Sequence, residues 1–270
     1  MLTALREADG RKVQAGHCHR VHGPFRCVGC GAPALLVKGA IRVHHFRHQA
    51  QPGDCLRGWG ESAQHRDCKQ AIFDALRSAE GVVEVELEKD IGSNVADVFA
   101  LIRGVPVAVE IQRSELPLDV LVRRTLAYHA QQVHVLWVAL AGEEIAFSPY
   151  SPKAWERWCH AVYGGRVYYW TQADELQPVH FDAHWLHTPA YTTRDEQGLP
   201  LTVGGQPRRS KRYRNPNHGA RVAISAGFRP VVRREWSGGT VNVPRCSLYV
   251  DEQPAWWKPA EGPGPAAALG

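Results

Sequence analysis

The stretch from Asn94 to Ser114, N-V-A-D-V-F-A-L-I-R-G-V-P-V-A-V-E-I-Q-R-S, limits the possible folds more than any other part of the chain. Two apolar runs flank Arg103-Gly104, and a glycine there supplies the backbone freedom of a two-residue hairpin turn. Such a turn sets Ile102 against Val105, and counting outward sets Asp97 against Glu110. Side chains of directly opposed residues share a face and lie roughly 5 Å apart. Gln112 follows on that face. The other face carries Val98, Ala100, Ile102, Val105, Val107, Val109 and Ile111, all apolar. Pro106 falls at a position where its missing N–H is not required. A three-residue loop with a bulge would shift this register. The two-residue turn predicts one fully buried face and a second that holds two carboxylates and an amide.

The rest of the chain must house that hairpin. At 270 residues there is room for one large domain or two smaller ones. No apolar run approaches the ~20 residues of a membrane span, and the first residues, M-L-T-A-L-R-E-A-D-G, lack the layout of a secretory signal. A cytoplasmic protein is the expectation. Seven cysteines, an odd number, favour metal ligation or free thiols over a disulfide framework in a reducing compartment. A short hairpin around Asp9-Gly10, anchored by Leu2, Leu5 and Val13, opens the chain, and His17, Cys18, His19 and His22 read as loop surface. Cys27-x-x-Cys30, His44-His45-Phe46-Arg47-His48 and Cys55 then follow in a Gly-rich stretch too poor in apolar residues to fold alone. A structural zinc on Cys27, Cys30, His48 and Cys55 would supply the stability, with His45 the alternate for His48.

Residues 61–80 read as an amphipathic helix ended by Gly81, with Cys68, Ile72, Ala75, Leu76 and Ala79 as its buried stripe. Glu61, His65 and, less directly, Lys69 extend that stripe. A carboxylate here also complements the helix dipole, but its place on the core-facing side argues for a further role. Val82–Glu88 alternates as a strand. Residues 116–130 read as a helix with Pro117 in its first turn, carrying Arg124 and Tyr128 four apart. Residues 132–140 read as a strand buried on both faces. The order is helix, strand, hairpin, helix, strand, an α/β arrangement with a small mixed sheet.

Glu61, Asp97 and Glu110 with Gln112 form a set with chemical content. Opposed carboxylates repel, so a site that keeps them needs a cation or shifted pKa values. Hard oxygen donors suit Mg²⁺ or Mn²⁺, which polarise a phosphodiester and activate bound water. Gln112 is placed to orient water or a phosphate oxygen.

Several motifs agree in order and spacing with one family: F-R-C-V-G-C-G, H-F-R-H followed by Cys55, E-S-A-Q-H-R opening a helix, V-A-D-V, V-A-V-E-I-Q-R-S, R-T-L-A-Y, and a strand ending L-W-V. Over about residues 20–140 the chain resembles the CoiA-like competence proteins of the PD-(D/E)XK nuclease superfamily. The resemblance implies a restriction-endonuclease-like αβββαβ core and a metal-dependent nuclease acting on DNA in uptake, processing or defence. Glu61, Asp97, Glu110 and the Ile111 carbonyl would then ligate the catalytic Mg²⁺ or Mn²⁺. Lys69, Arg124 and Tyr128 would contact substrate or brace the site. Gln112 stands where most of the superfamily carries lysine, and an amide cannot titrate as a base, so the resemblance would leave water activation to the metal and to Lys69 or His65.

Beyond Leu140, residues 149–170 suggest a Trp-rich helix and a strand. Trp155, Trp158, Tyr163 and Tyr168 fit a core or docking helix better than a base-stacking surface. Residues 205–234 hold Arg208, Arg209, Lys211, Arg212 and five more arginines with no acid, a run suited to DNA phosphates. The last residues, Pro- and Ala-rich, read as a disordered tail. The expected divisions are a zinc-knuckle module at 1–58, a nuclease-like core at 59–180 and a basic region at 181–270. Two rivals stand beside the nuclease: a non-catalytic DNA-binding or assembly factor on the same scaffold, and a histidine-metal nuclease centred on His44, His45 and His48.

Overall fold

A computed structural model describes residues 1–50, 53, 55, 61–92, 94–140, 142–238 and 241–258. The N-terminal part is an antiparallel sheet of β1 (Thr3–Arg6), β2 (Lys12–Gln14), β3 (Phe25–Arg26), β4 (Pro33–Val37) and β5 (His45–His48), ordered β2-β1-β3-β4-β5. The expected hairpin at Asp9-Gly10 is present, with Leu5 opposite Lys12 and Gly10 at φ +68°. Met1, Ala4, Phe25, Ala34, Leu36 and Phe46 make a small core of their own with Cys18, Cys27 and Cys55. Leu2 points instead into the main core.

That main core follows the expected order: α1 (Ala63–Ser78), β6 (Val82–Asp90), β7 (Val95–Ile102), β8 (Val105–Gln112), α2 (Leu118–Ala130) and β9 (His134–Ala139). Ser62 caps α1, its side chain accepting from the His65 N–H at 3.1 Å. Arg103 and Gly104 both have positive φ, +49° and +79°, which is the two-residue turn that matches strand twist. The register runs from Ile102 opposite Val105 to Val98 opposite Val109, as counted from the sequence. β9 lies parallel to β8, which requires a crossover, and α2 is that crossover. β6 departs from simple alternation. Its pairing with β7 slips by one residue between Val83 and Glu86, and Glu84 and Glu88 take positive φ.

The sheet then grows. After α3 (Ala154–Val162) come β10 (Val167–Gln172), β11 (Glu175–His187), β12 (Tyr191–Arg194), β13 (Pro200–Val203) and β14 (Pro207–His218). The path β14-β11-β10-β9-β8-β7-β6 is one sheet. β15 (Val222–Ala223) pairs with β11, and β16 (Phe228–Arg233) with β19 (Cys246–Asp251), which reaches β9 at Leu248. β17 (Trp236–Gly238) and β18 (Val241–Val243) form a separate hairpin. Trp155, Trp158, Tyr163 and Tyr168 are all buried, so the Trp-rich segment is core. Strand β11 runs straight through the expected 180/181 division, and β14 continues the same sheet. The expected boundary at 58/59 and the tail beyond Lys258 lie outside the described residues. No helix among the described residues is long and apolar enough to cross a membrane.

Candidate active site and metal centre

Two groups of potential ligands stand out, and they are built differently. In the N-terminal sheet, a tight turn at Cys27–Gly31 places the Cys-x-x-Cys pair, closed by the Gly31 N–H donating to the Cys27 carbonyl at 2.9 Å with Gly31 at φ +68°. His48 on β5 sits on the inward face beside Ala34, and Cys55 comes from the following segment. The Cys27 and Cys55 sulfurs are 3.8 Å apart, and the Cys30 sulfur is 3.5 Å from His48 Nε2. A tetrahedral zinc at about 2.3 Å from sulfur and about 2.0 Å from nitrogen needs separations of roughly 3.8 and 3.5 Å. All four donor atoms lie within 4.8 Å of one another, the only such set of three or more among the described residues. Burial lowers the pKa of His48, which favours the neutral ring a metal binds. His45, the alternate, turns its Nδ1 to the Val43 carbonyl at 3.0 Å. The three-cysteine, one-histidine set expected from the motif spacing is therefore present as a zinc-type cluster.

The second group lies where α1 and α2 meet strands β6, β7 and β8. Lys69, fully buried on α1, is its centre. The ammonium is 2.5 Å from Glu61, 2.8 Å from Glu88 and 3.5 Å from Asp97. Desolvation alone would lower its pKa, but the three carboxylates outweigh that and raise it, so Lys69 is a cation and not a base. The other oxygen of Glu61 faces the Met1 α-amine at 2.7 Å. Glu88 also accepts from the Leu2 N–H at 2.8 Å and from the Thr3 hydroxyl at 2.6 Å. Burial opposes its ionisation, yet Lys69 and these donors hold its pKa down at about 2.

Asp97 is similarly enclosed. Burial opposes its ionisation too, but His65, Lys69 and the Ile111 N–H together push its pKa down. His65 Nε2 is 3.1 Å and the Ile111 nitrogen 2.9 Å from the same Asp97 oxygen. An ionised carboxylate only accepts, so Nε2 carries a proton, and in the neutral ring Nδ1 then holds the lone pair. Glu110 follows a different pattern. Arg124 reaches its Oε1 at 2.6 Å and the Tyr128 hydroxyl donates to the same atom. Despite these donors its pKa is pushed up to about 7, by burial first, with the charge of Asp97 adding to it and Arg124 opposing. Gln112 donates to the Ser114 carbonyl at 2.9 Å.

Three strands thus contribute one acid each. Leu87 pairs with Val98 and Lys89 with Ala96, a register that sets Glu88 across from Asp97, as the hairpin sets Asp97 across from Glu110. Glu88 escaped the sequence reading. Strict alternation of V-V-E-V-E-L-E places Glu84, Glu86 and Glu88 together on a wet face, and only the bulge and the positive φ turn Glu88 inward. The opposition of Glu88 to Asp97 was the one signal available. The oxygen donors of Glu61, Asp97 and Glu110 are of the type a hard divalent cation takes. A cation beside Asp97 and Glu110 would offset the charge of Asp97, which adds to burial in raising Glu110, although these acids do not converge as the cysteine and histidine donors do. The basic residues Arg208, Arg209, Lys211 and Arg212 lie on edge strand β14, four strand spacings from β8, or about 19 Å across the sheet.

Comparison with known families gives one match. Residues 61–147 match the family described as competence protein CoiA, nuclease-like domain. No significant match to a curated protein or to a solved structure is found. The matched segment, about a third of the chain, starts at Glu61 and closes just after β9, so it contains every residue of the carboxylate group except Met1, Leu2 and Thr3. Over residues 61–147 the chain is similar to the nuclease-like domain of the CoiA family.

Proposed function

We propose that the protein is a Mg²⁺- or Mn²⁺-dependent deoxyribonuclease with a PD-(D/E)XK-type centre. The observation that carries this reading is the row of opposed acids inside the nuclease-like segment, with Glu110 raised to about 7 by burial first and then by the charge of Asp97, which a cation would offset. Glu61, Asp97, Glu110 and the Ile111 carbonyl are the groups that would hold the ion. When bound, it would supply polarisation of the phosphodiester and activation of water. Asp97 holds His65 with the proton on Nε2, leaving Nδ1 as the acceptor that Gln112 cannot provide. Lys69 supplies fixed positive charge next to Asp97, and Arg124 and Tyr128 brace Glu110. Gln112 is the residue to orient water or a phosphate oxygen. Zinc on Cys27, Cys30, His48 and Cys55 would stabilise the N-terminal sheet. A part in DNA uptake, processing or defence accords with the family.

One observation favours the rival, a non-catalytic DNA-binding or assembly factor. Each acid already has a cationic partner within the protein: Lys69 and the Met1 amine for Glu61, Lys69 for Asp97, Arg124 for Glu110. The deciding experiment is cleavage of single- and double-stranded DNA with Mg²⁺ or Mn²⁺, comparing the wild type with Asp97→Ala and Glu110→Ala. The nuclease reading expects cutting by the wild type and a loss of at least a hundredfold in both variants. Binding without cutting in either metal supports the rival. Use of His48 in the cysteine cluster argues against the histidine-metal nuclease, which predicts that His45→Ala abolishes cutting while Asp97→Ala does not.

A further inference from the structure

The N-terminal sheet has a second face, turned away from the cysteine–histidine cluster. On β4 and β5 the inward residues are Ala34, Leu36, Phe46 and His48. The outward ones are Pro33, Leu35 and Val37, with Leu35 opposite Arg47 and Val37 opposite His45. This face lines a groove of about 1020 Å³ rimmed by Arg20, Lys38, Arg42 and Arg47. No acid occurs among its described lining residues. The sequence behind it is equally one-sided, since residues 10–53 contain lysine, arginine and histidine but not one aspartate or glutamate. At the loop joining β4 to β5, Ile41 is 97% exposed between Lys38 and Arg42, and Leu35 is 39% exposed on the floor.

A cationic rim without counter-charges among the described lining residues suits a polyanion. The apolar floor narrows the choice further. Phosphates gain nothing from Leu35, Val37 or Ile41, whereas unpaired bases offer flat apolar faces that a duplex keeps stacked inside. We infer that this groove binds a single-stranded DNA segment, with its phosphates on Arg20, Arg42 and Arg47 and its bases against Leu35, Val37 and Ile41. The inference rests on the reading of DNA as substrate, but not on cleavage. It gives the zinc-bearing sheet a role separate from its metal: delivering a strand to the domain that follows.

The test is binding of a fluorescent thymidine 20-mer to the full-length protein, without added Mg²⁺ or Mn²⁺, across a range of salt. The combined variant Arg20→Ala/Arg42→Ala/Arg47→Ala should bind at least tenfold more weakly. Its log–log salt slope should fall by about 2, each lost contact to a single strand removing ~0.7. The corresponding triple lysine variant should keep most of the affinity, and Leu35→Ser/Ile41→Ser should weaken binding several-fold with an unchanged slope. Unchanged affinity and slope in the alanine variant would overturn the inference. So would a lysine variant as weak as the alanine one, or tighter binding of a duplex 20-mer than of the single strand. Because no cutting metal is present, a protein that never cleaves DNA can still pass, and an active nuclease can still fail.

Discussion

The two ligand groups meet the same difficulty, several electron-rich donors drawn into a small volume, in opposite ways. Around Cys27, Cys30, His48 and Cys55 the four donors face one another at tetrahedral spacing. Around Glu61, Glu88 and Asp97 the chain places Lys69 at the centre and seals the rim with Met1 and His65. The first group is built to take an ion from outside, and the second is balanced from within. Stability that comes from an external ion can be removed by competition. Stability that comes from an internal cation can be removed only by mutation or pH.

The largest effect should follow from the metal. Zinc bound at such sites is worth on the order of 10 kcal/mol to folding. Cys27→Ser, or a strong chelator, should therefore melt the N-terminal sheet, seen as loss of the β-sheet signal in circular dichroism and of one zinc per chain by elemental analysis. A Cys27→Ser protein that keeps both would erase the contrast between the groups.

Next comes the internal cation. Lys69→Met leaves three buried carboxylates without their shared partner, and breaking a buried pair in this way costs about 3–5 kcal/mol. Urea unfolding would measure it, with no change in zinc content. A loss below ~1 kcal/mol would mean that the network is relaxed by solvent.

The acids respond to pH in opposite senses. Glu88 has a folded pKa of about 2, below the ordinary 4.5. Its stabilisation is complete above the ordinary value and is lost as pH falls toward 2, because the unfolded chain binds the proton first. Glu110, raised to about 7, does the reverse. The folded chain binds its proton more tightly, so stability declines as pH rises from about 4.5 through 7. Glu88→Gln should flatten the acid limb of stability against pH, and Glu110→Gln the neutral limb. At pH 8, Mn²⁺ should raise the melting temperature of the wild type by a few degrees and leave that of Asp97→Asn unmoved.

The smallest effects come from single glycines. Gly31 and Gly104 both sit at positive φ with no heavy atom near the position of a Cβ, so alanine meets strain without a clash. Each substitution should cost about 1 kcal/mol. Gly31→Ala should weaken zinc retention, and Gly104→Ala should lower unfolding stability with zinc retention unchanged.

The features legible in the sequence were those set by short-range geometry. The Arg103-Gly104 turn fixes its own register, so the opposition of Asp97 and Glu110 could be counted from it. Cys-x-x-Cys and the His48 spacing likewise converge through one knuckle and one short strand. Hidden features depended on departures from periodicity or on distant segments. Glu88 turns inward only because β6 slips by a residue. The Met1 amine and the Leu2 and Thr3 groups reach the site from sixty or more residues away, through the packing of one sheet against another. Phe73 is buried on α1 beyond the expected stripe, and Lys69, expected at its margin, is fully buried because carboxylates on three other segments surround it. The strands after residue 180 extend a sheet whose hydrophobic pattern is interrupted by the arginines of β14.

Those arginines have a consequence apart from any ligand. A long open sheet has two rims of unpaired peptide groups, and each invites another chain to add a strand. On one rim, β14 carries Arg208, Arg209, Lys211 and Arg212, so two copies approaching edge to edge would bring like charges together. On the other rim, β6 is bent by its bulge and offers a broken ladder. The molecule is thereby guarded at one edge by repulsion and at the other by shape, and replacing the β14 cations with threonine would create a surface prone to self-association.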